Sequence, residues 1–312
     1  MEDSPEYLVA RQQFYDYYDN TVTPALSKIE KKRRQYLGAF LTIILLVILW
    51  IALLITGKVS FLAEGENGFI LCLVVLLICA PIFMYCKKSK ESILPLLIGF
   101  FGKFDYTYHP SLPLSVLNQS QIMKKSDDIA TDDGFCGEYK DILVSIIEYL
   151  RIDFKKQKED GVQKIKRKIK GRGIIFQAEM KKKFSGHTIV VKDKGLLNKL
   201  SRHKGLERAG LESPEFEKAF EVYTNNQIEA RYILTAVMIE YMLELKKLFP
   251  NAEYSFENNN VLINIEMKKN MFECNNFFRS VISKKRAETY FKQFYLLFSI
   301  VEILHLNQKQ ML

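Results

Sequence analysis

The sequence predicts an α+β protein in which a two-helix transmembrane hairpin precedes a soluble domain with a small antiparallel sheet and packed helices. Two observations set the hairpin. The runs 36–56 and 68–86 hold no charged residue. At about 1.5 Å per residue, about 20 apolar residues span a hydrocarbon core of roughly 30 Å, and neither run shows the polar face of a soluble core helix. A third observation sets the rest. In residues 87–312, long enough to bury a core of their own, strand-like and helix-like stretches segregate rather than alternate, which favours α+β over a wound parallel sheet. The expected organisation is an N-terminal helical segment (1–35), the hairpin (36–86) and a cytoplasmic α+β domain (87–312).

In the first segment Tyr7, Leu8, Phe14, Tyr15 and Tyr18 recur at helical spacing, and Pro24 is placed to open a second helix that runs into the first span. The segment lacks the form of a cleavable signal peptide, because its basic residues come late and the apolar run is too long. Lys31-Lys32-Arg33-Arg34 precedes the first run, and Lys87, Lys88 and Lys90 follow the second, whereas the intervening loop has Lys58 against Glu64 and Glu66. The positive-inside rule then places both termini in the cytoplasm. Cys72, Cys79 and Cys86 fall seven apart on one stripe of the second run and read as ordinary small membrane-helix residues.

Glu91–Phe104 is apolar but too short to span, and suits an interfacial or first core helix. A short helix is expected around Leu112–Met123, then a polar loop over Lys124–Asp133. Ile142, Val144, Ile146, Glu148, Leu150 and Ile152 alternate as in a strand, and Lys155–Lys170 reads as a charged hairpin tip. Gly173–Met180 and His187–Lys192 read as an antiparallel pair. Lys194–Lys204 and Asn226–Phe249 are predicted helices, the second with Ile228, Tyr232, Val237, Met238, Met242 and Leu245 on an apolar face. Two short strands around Asn258-Asn259-Asn260 and a long helix over Glu273–Leu306 complete the chain.

The stretch Ser213–Thr235 (Ser-Pro-Glu-Phe-Glu-Lys-Ala-Phe-Glu-Val-Tyr-Thr-Asn-Asn-Gln-Ile-Glu-Ala-Arg-Tyr-Ile-Leu-Thr), with Gly173-Ile-Ile-Phe176 and Phe184–Val191 upstream, resembles a bacterial family known only as a domain of unknown function. Its members pair two N-terminal membrane spans with a cytoplasmic α+β domain. The resemblance implies that architecture from the first span to the last helix, and no chemistry.

Charge gives the clearest functional signal. Between Arg151 and Arg208 stand 19 Lys or Arg against 6 Asp or Glu, a larger surplus than the +9 of the whole chain. Lys155, Lys156, Lys158, Lys164, Lys166, Arg167, Lys168 and Lys170 form a basic block that suits anionic phospholipid on a lipid bilayer. Nucleic acid would feel the same attraction, but the block lacks interleaved aromatic side chains and this partner is disfavoured. A solvated charge run is the plain alternative.

Gln227, Glu229 and Arg231 are candidates for contact with a ligand, a protein partner or a second copy of the chain. The plain reading keeps Phe216, Phe220 and Val222 in the core and Glu229 and Arg231 in surface ion pairs.

Catalytic signatures are missing. The four histidines are scattered, His187 beside Ser185-Gly186 lacks triad geometry, and Gly171-Arg172-Gly173 is no phosphate loop. Asp127-Asp128 and Asp132-Asp133 do not fit a calcium loop, so no metal or cofactor is expected. The residues therefore predict a membrane-anchored, non-enzymatic binding or scaffolding protein. A hydrolase or transferase with an unrecognised site is the alternative, and a nucleic-acid module the third reading.

Overall fold

A computed structural model of the chain describes residues 4–56, 67–159, 162–193, 203–272 and 277–310. It opens on one continuous helix. α1 (Pro5–Tyr17) passes through a π-helical turn (Tyr18–Val22) into α2 (Thr23–Ile55). Pro24 does not start a new helix. Its ring crowds the carbonyl four residues back and it offers no N–H, and the widened turn upstream accommodates both. Pro5–Leu53 is, among the described residues, the one helix with the length and composition to cross a membrane, with a mean hydropathy of 2.7 in its apolar window. Leu41, Leu45, Leu46, Ile48 and Leu49 are exposed along it.

This corrects the expected two-helix hairpin. The second apolar run is only the first part of α3 (Asn67–Ile98), which continues through Lys87–Glu91 and buries Ile93, Leu94 and Leu97 in protein. A hydropathy run shows where apolar residues stop, not where a helix stops. A single helix of that length and composition among the described residues also overturns the placement of both termini in the cytoplasm, which needs an even number of spans. The loop used for that placement, 57–66, lies outside the described residues.

The chain forms two compact units. One comprises Arg11–Leu97 and Phe272–Glu288. In it the segment after Phe272 is tied to the helices by a buried clamp. The Arg33 guanidinium donates to both carboxylate oxygens of Glu30 (2.9 and 2.8 Å) and to the Phe277 carbonyl (2.8 Å). The Val281 N–H donates to Glu30 Oε2 at 3.1 Å. Phe40 and Tyr85 meet the Phe277 ring edge-on, each at 5.7 Å.

The other unit comprises Met1–Ala10, Ile98–Met271 and Thr289–Leu312. Its centre is a nine-stranded antiparallel sheet in the order β1-β2-β3-β4-β9-β8-β5-β7-β6. The strands are β1 (Lys103–Tyr108), β2 (Asp128–Tyr139), β3 (Ile142–Glu159), β4 (Val162–Glu179), β5 (Thr188–Lys192), β6 (Glu207–Ala209), β7 (Phe220–Thr224), β8 (Ala252–Glu257) and β9 (Asn260–Met267). The sheet is larger than the small one expected. Asp128–Asp133, read as loop, belongs to β2, and Lys155–Lys170 extends β3 and β4 instead of forming a tip. Nor do Gly173–Met180 and His187–Lys192 pair with each other. β4 lies between β3 and β9, and β5 between β7 and β8.

Two hairpins use two-residue turns. Lys140 and Asp141 join β2 to β3 with positive φ at both positions, the backbone twist that suits a tight hairpin. Asn258-Asn259 joins β8 to β9, and Asn258 adopts the left-handed conformation its short polar side chain tolerates.

Helices α4 (Leu114–Gln119), α5 (Pro214–Ala219), α6 (Gln227–Ile233), α7 (Ala236–Leu248) and α8 (Lys284–Gln310) complete the fold. The single helix expected over Asn226–Phe249 is divided, because the Thr235 side chain caps a new start by accepting from the Met238 N–H. α7 buries Met238, Met242 and Leu245, while Ile228, Tyr232 and Val237 are exposed rather than buried as expected. Leu117, Ile122, Tyr149, Ile175, Ile189, Val191 and Leu262 form one core cluster of this unit. Phe298 of α8 anchors another, stacked on Phe101 at 4.9 Å and against Tyr139 at 4.5 Å. The predicted helix over Lys194–Lys204 falls largely on 194–202, outside the described residues.

Candidate functional site

The basic block is carried by a two-stranded ribbon. β3 and β4 pair in regular register from Leu143↔Glu179 to Arg151↔Gly171, and then the register shifts so that Ile152 pairs with Ile169. Lys170 is the extra residue of this bulge, a feature that re-aims a strand. Beyond it Phe154, Lys155, Lys156, Ile165, Lys166, Arg167, Lys168, Ile169 and Lys170 are all exposed. The side chains of Lys158 and Lys164 lie outside the described ones. Among the described residues, Lys170 lies 3.6 Å from Asp153 and Arg167 3.4 Å from Asp128. Such exposed pairs leave most of the ribbon's positive field intact. Sequence reading found the charges and missed the exposed Phe154, Ile165 and Ile169, which the register shift sets on one face.

Gln227, Glu229 and Arg231 are brought together on α6, where each bonds to a different part of the chain. The Glu229 carboxylate accepts the N–H groups of Ser185 and Gly186, each at 2.6 Å, and Asn226 caps the helix by accepting the Glu229 N–H. Glu229 is therefore a clasp on the turn before β5, not the surface ion pair of the plain reading. The turn favours glycine at 186, since an added Cβ would stand 2.7 Å from Asn226 Cβ, which cannot swing away, and 2.6 Å from Asn225 Oδ1. Gln227 donates to the Arg208 carbonyl (3.3 Å) and Arg231 to the Gln227 carbonyl (3.2 Å). Replacing Glu229 with Ala takes the acceptor from two adjacent backbone donors. The expected cost is about 1–3 kcal/mol, read as a lowered midpoint in chemical unfolding. An unchanged midpoint would show that water replaces the clasp.

Arg231 also borders a cavity of about 610 Å³ lined by Leu211, Ser213, Leu234, Thr235 and Ile239. A smaller one, of about 140 Å³, is lined by Lys124, Arg151, Lys192, Asn251, Glu253, Asn264 and Glu266. In it Glu266 takes a 2.6 Å contact from Lys124 and a 2.5 Å contact from buried Arg151. Burial alone would raise the Glu266 pKa, but the hydrogen bonds and charges of Lys124 and Arg151 outweigh it and hold the carboxyl below its usual range.

Two further clusters give Asp132-Asp133 and His187 partners that the sequence did not place. A bulge in β2 sets Asp132 and Asp133 opposite Glu148 of β3, with their ligand atoms within 4.8 Å of one another. Hard carboxylate oxygens suit a divalent cation. Here, however, Tyr106 donates to Asp133 and Asn270 to Asp132, an arrangement that equally serves a hydrogen-bonded bulge.

In the second cluster His187 Nε2 lies 3.0 Å from Ser255 Oγ, and its Nδ1 lies 3.7 Å from Glu257. The order suggests a relay, yet Ser255 is only 2% exposed, and a nucleophile must reach its substrate. Burial pushes the His187 pKa below 6.5, against the raising effects of Glu257 and a hydrogen bond with the Ser120 backbone. Folding thus binds imidazole in its neutral form. Its contribution to stability is complete above about pH 6.5 and declines as the pH falls from there towards the depressed folded value. We expect His187→Gln to flatten that part of the stability–pH curve in chemical unfolding. A parallel curve would remove His187 as its source.

Among known proteins, no curated protein matches the chain. One solved structure, the mycobacterial trehalose monomycolate transport factor A, is similar at 14% identity and a TM-score of 0.37, over 69% of this chain and 93% of that one. The family described as "Protein of unknown function (DUF3137)" matches residues 171–306, which corrects the expected extent of the resemblance: it begins within β4 and takes in neither apolar run.

Proposed function

We propose that this is a membrane-associated binding protein rather than an enzyme, and that its β3–β4 ribbon lies against anionic lipid. The carrying observation is the protruding ribbon with Lys155, Lys156, Lys166, Arg167, Lys168 and Lys170 exposed, in a chain that also has a helix of membrane-crossing length. Near an anionic surface each basic residue contributes about 1 kcal/mol, within a screening length of about 10 Å. Six such residues on one ribbon make a strong, salt-sensitive attraction. The exposed Ile228, Tyr232 and Val237, beside Arg231, support a separate protein contact on α6 and α7.

The test is hydrogen exchange of residues 152–170 in the full chain, reconstituted in anionic and in neutral bilayers. Slower exchange in the anionic bilayer, lost in high salt and in the Lys155→Gln/Lys166→Gln/Lys168→Gln variant, is expected. Equal exchange in both bilayers removes the reading. Relief of the protection by added RNA would redirect it to nucleic acid.

A further inference from the structure

The register of the ribbon separates its two faces. Directly paired residues of an antiparallel ladder share a face, and alternate residues along each strand stay on it. Ile152 pairs with Ile169, Phe154 with Arg167 and Lys156 with Ile165, so these six side chains stand on one face. Asp153 with Lys168 and Lys155 with Lys166 stand on the other.

On the first face Phe154 is 43% exposed, Ile165 66% and Ile169 54%. Phe154 is the diagonal neighbour of both isoleucines, at a separation an aromatic ring can bridge. The three make one apolar stripe, flanked by Lys156 and Arg167. An exposed apolar stripe calls for an occupant. A second ribbon would set its own cations against these ones, and like charges across a ladder repel. An anionic bilayer supplies both partners this face requires, phosphates for the cations and hydrocarbon for the stripe.

We propose that the ribbon is a shallow membrane wedge. Phe154, Ile165 and Ile169 enter the boundary between headgroups and acyl chains, while Lys156 and Arg167 extend their apolar stems along it and keep their charges at the phosphates. Lys155, Lys166 and Lys168 on the opposite face supply long-range attraction and stay in water. The inference rests on the lipid-apposition reading above, and adds to it a face and a depth.

The experiment uses the full chain in vesicles whose two leaflets share one anionic composition. Trp50 is the chain's single tryptophan. A Trp50→Phe background carrying Phe154→Trp therefore reports from the stripe alone, and Lys155→Trp in the same background reports from the opposite face. Energy transfer to a headgroup-labelled lipid measures approach to the surface, and quenching by lipid brominated on its acyl chains measures entry.

Insertion by about 5–10 Å should give transfer from both positions, with emission quenched about twofold at 154 and little changed at 155. Transfer without quenching at 154 overturns the wedge and leaves surface apposition standing. Transfer that is equal in anionic and neutral vesicles overturns both. Ile169→Trp repeats the measurement should the substitution at 154 disturb folding, and must also be quenched if the wedge is real.

Discussion

Replacing Arg33 with Ala should destabilise the unit formed by Arg11–Leu97 and Phe272–Glu288 by about 3–5 kcal/mol, the usual cost of breaking a buried ion pair by removing one partner. Glu30 and Arg33 are 5% and 6% exposed, so truncation leaves a carboxylate without its main counter-charge in a site that water barely reaches. The Phe277 carbonyl also loses the guanidinium that binds it, and Arg34, at 3.2 Å from Glu30 but largely exposed, cannot compensate. The expected result is a clearly lowered melting temperature in detergent, together with faster hydrogen exchange over 277–288.

A double replacement, Glu30→Leu with Arg33→Met, separates charge from packing. It removes both ions at once, which is often close to neutral. What remains is the cost of the stranded Val281 N–H and Phe277 carbonyl, about 1–3 kcal/mol for each buried group. A double variant as unstable as Arg33→Ala would mean that the stranded backbone groups, rather than the unpaired carboxylate, set the cost. A single variant that melts like the parent would remove the clamp from the account.

The same pair shows a flanking charge that the sequence could not place. Glu30-x-x-Arg33 is a legible helical spacing, but the carbonyl and N–H groups that bury it lie 244 and 251 residues away in sequence. Arg33 therefore entered the positive-inside count as a free flanking charge when it is neutralised inside the protein. Local patterns fared better where one face of a strand decides the matter. The β8–β9 hairpin was readable because the apolar residues of both strands are interrupted by an asparagine turn.

β2 was not readable, because its Asp, Thr and Gly residues have low strand propensity and its pairing is set by neighbours. β7 was hidden inside a stretch whose Phe216, Phe220 and Tyr223 also fit a helical period; the three phenylalanine and valine core positions expected there, Phe216, Phe220 and Val222, are buried. At the ribbon, the charges could be counted from sequence, but the bulge at Lys170 reverses the parity of β4 against β3. Only the register shows that Phe154, Ile165 and Ile169 share a face. Glu229 fared likewise: it was singled out for its position, and its role depended on Ser185 and Gly186, more than 40 residues upstream.

Phe298→Ala should cost the sheet-bearing unit about 3–5 kcal/mol, the range for deleting a buried aromatic ring. Phe298 is 1% exposed and touches rings from four separate parts of that unit: Phe101 before β1, Phe104 in β1, Tyr139 in β2 and Phe176 in β4. No single neighbour can swing in to fill the space, because each is held by its own strand or, for Phe101, by Phe291 stacked on it and Phe294 set edge-on. The cavity should therefore stay open rather than collapse, which puts the cost at the upper end of the range. Phe298→Leu keeps most of the volume and should recover about half of the loss. Because these rings join α8 to the edge of the sheet at β1 and β2, the signature should be local: hydrogen exchange should accelerate first in β1, which among the described residues pairs with β2 alone, and last in β9. A uniform acceleration across all nine strands would instead mark the sheet and α8 as one cooperative unit.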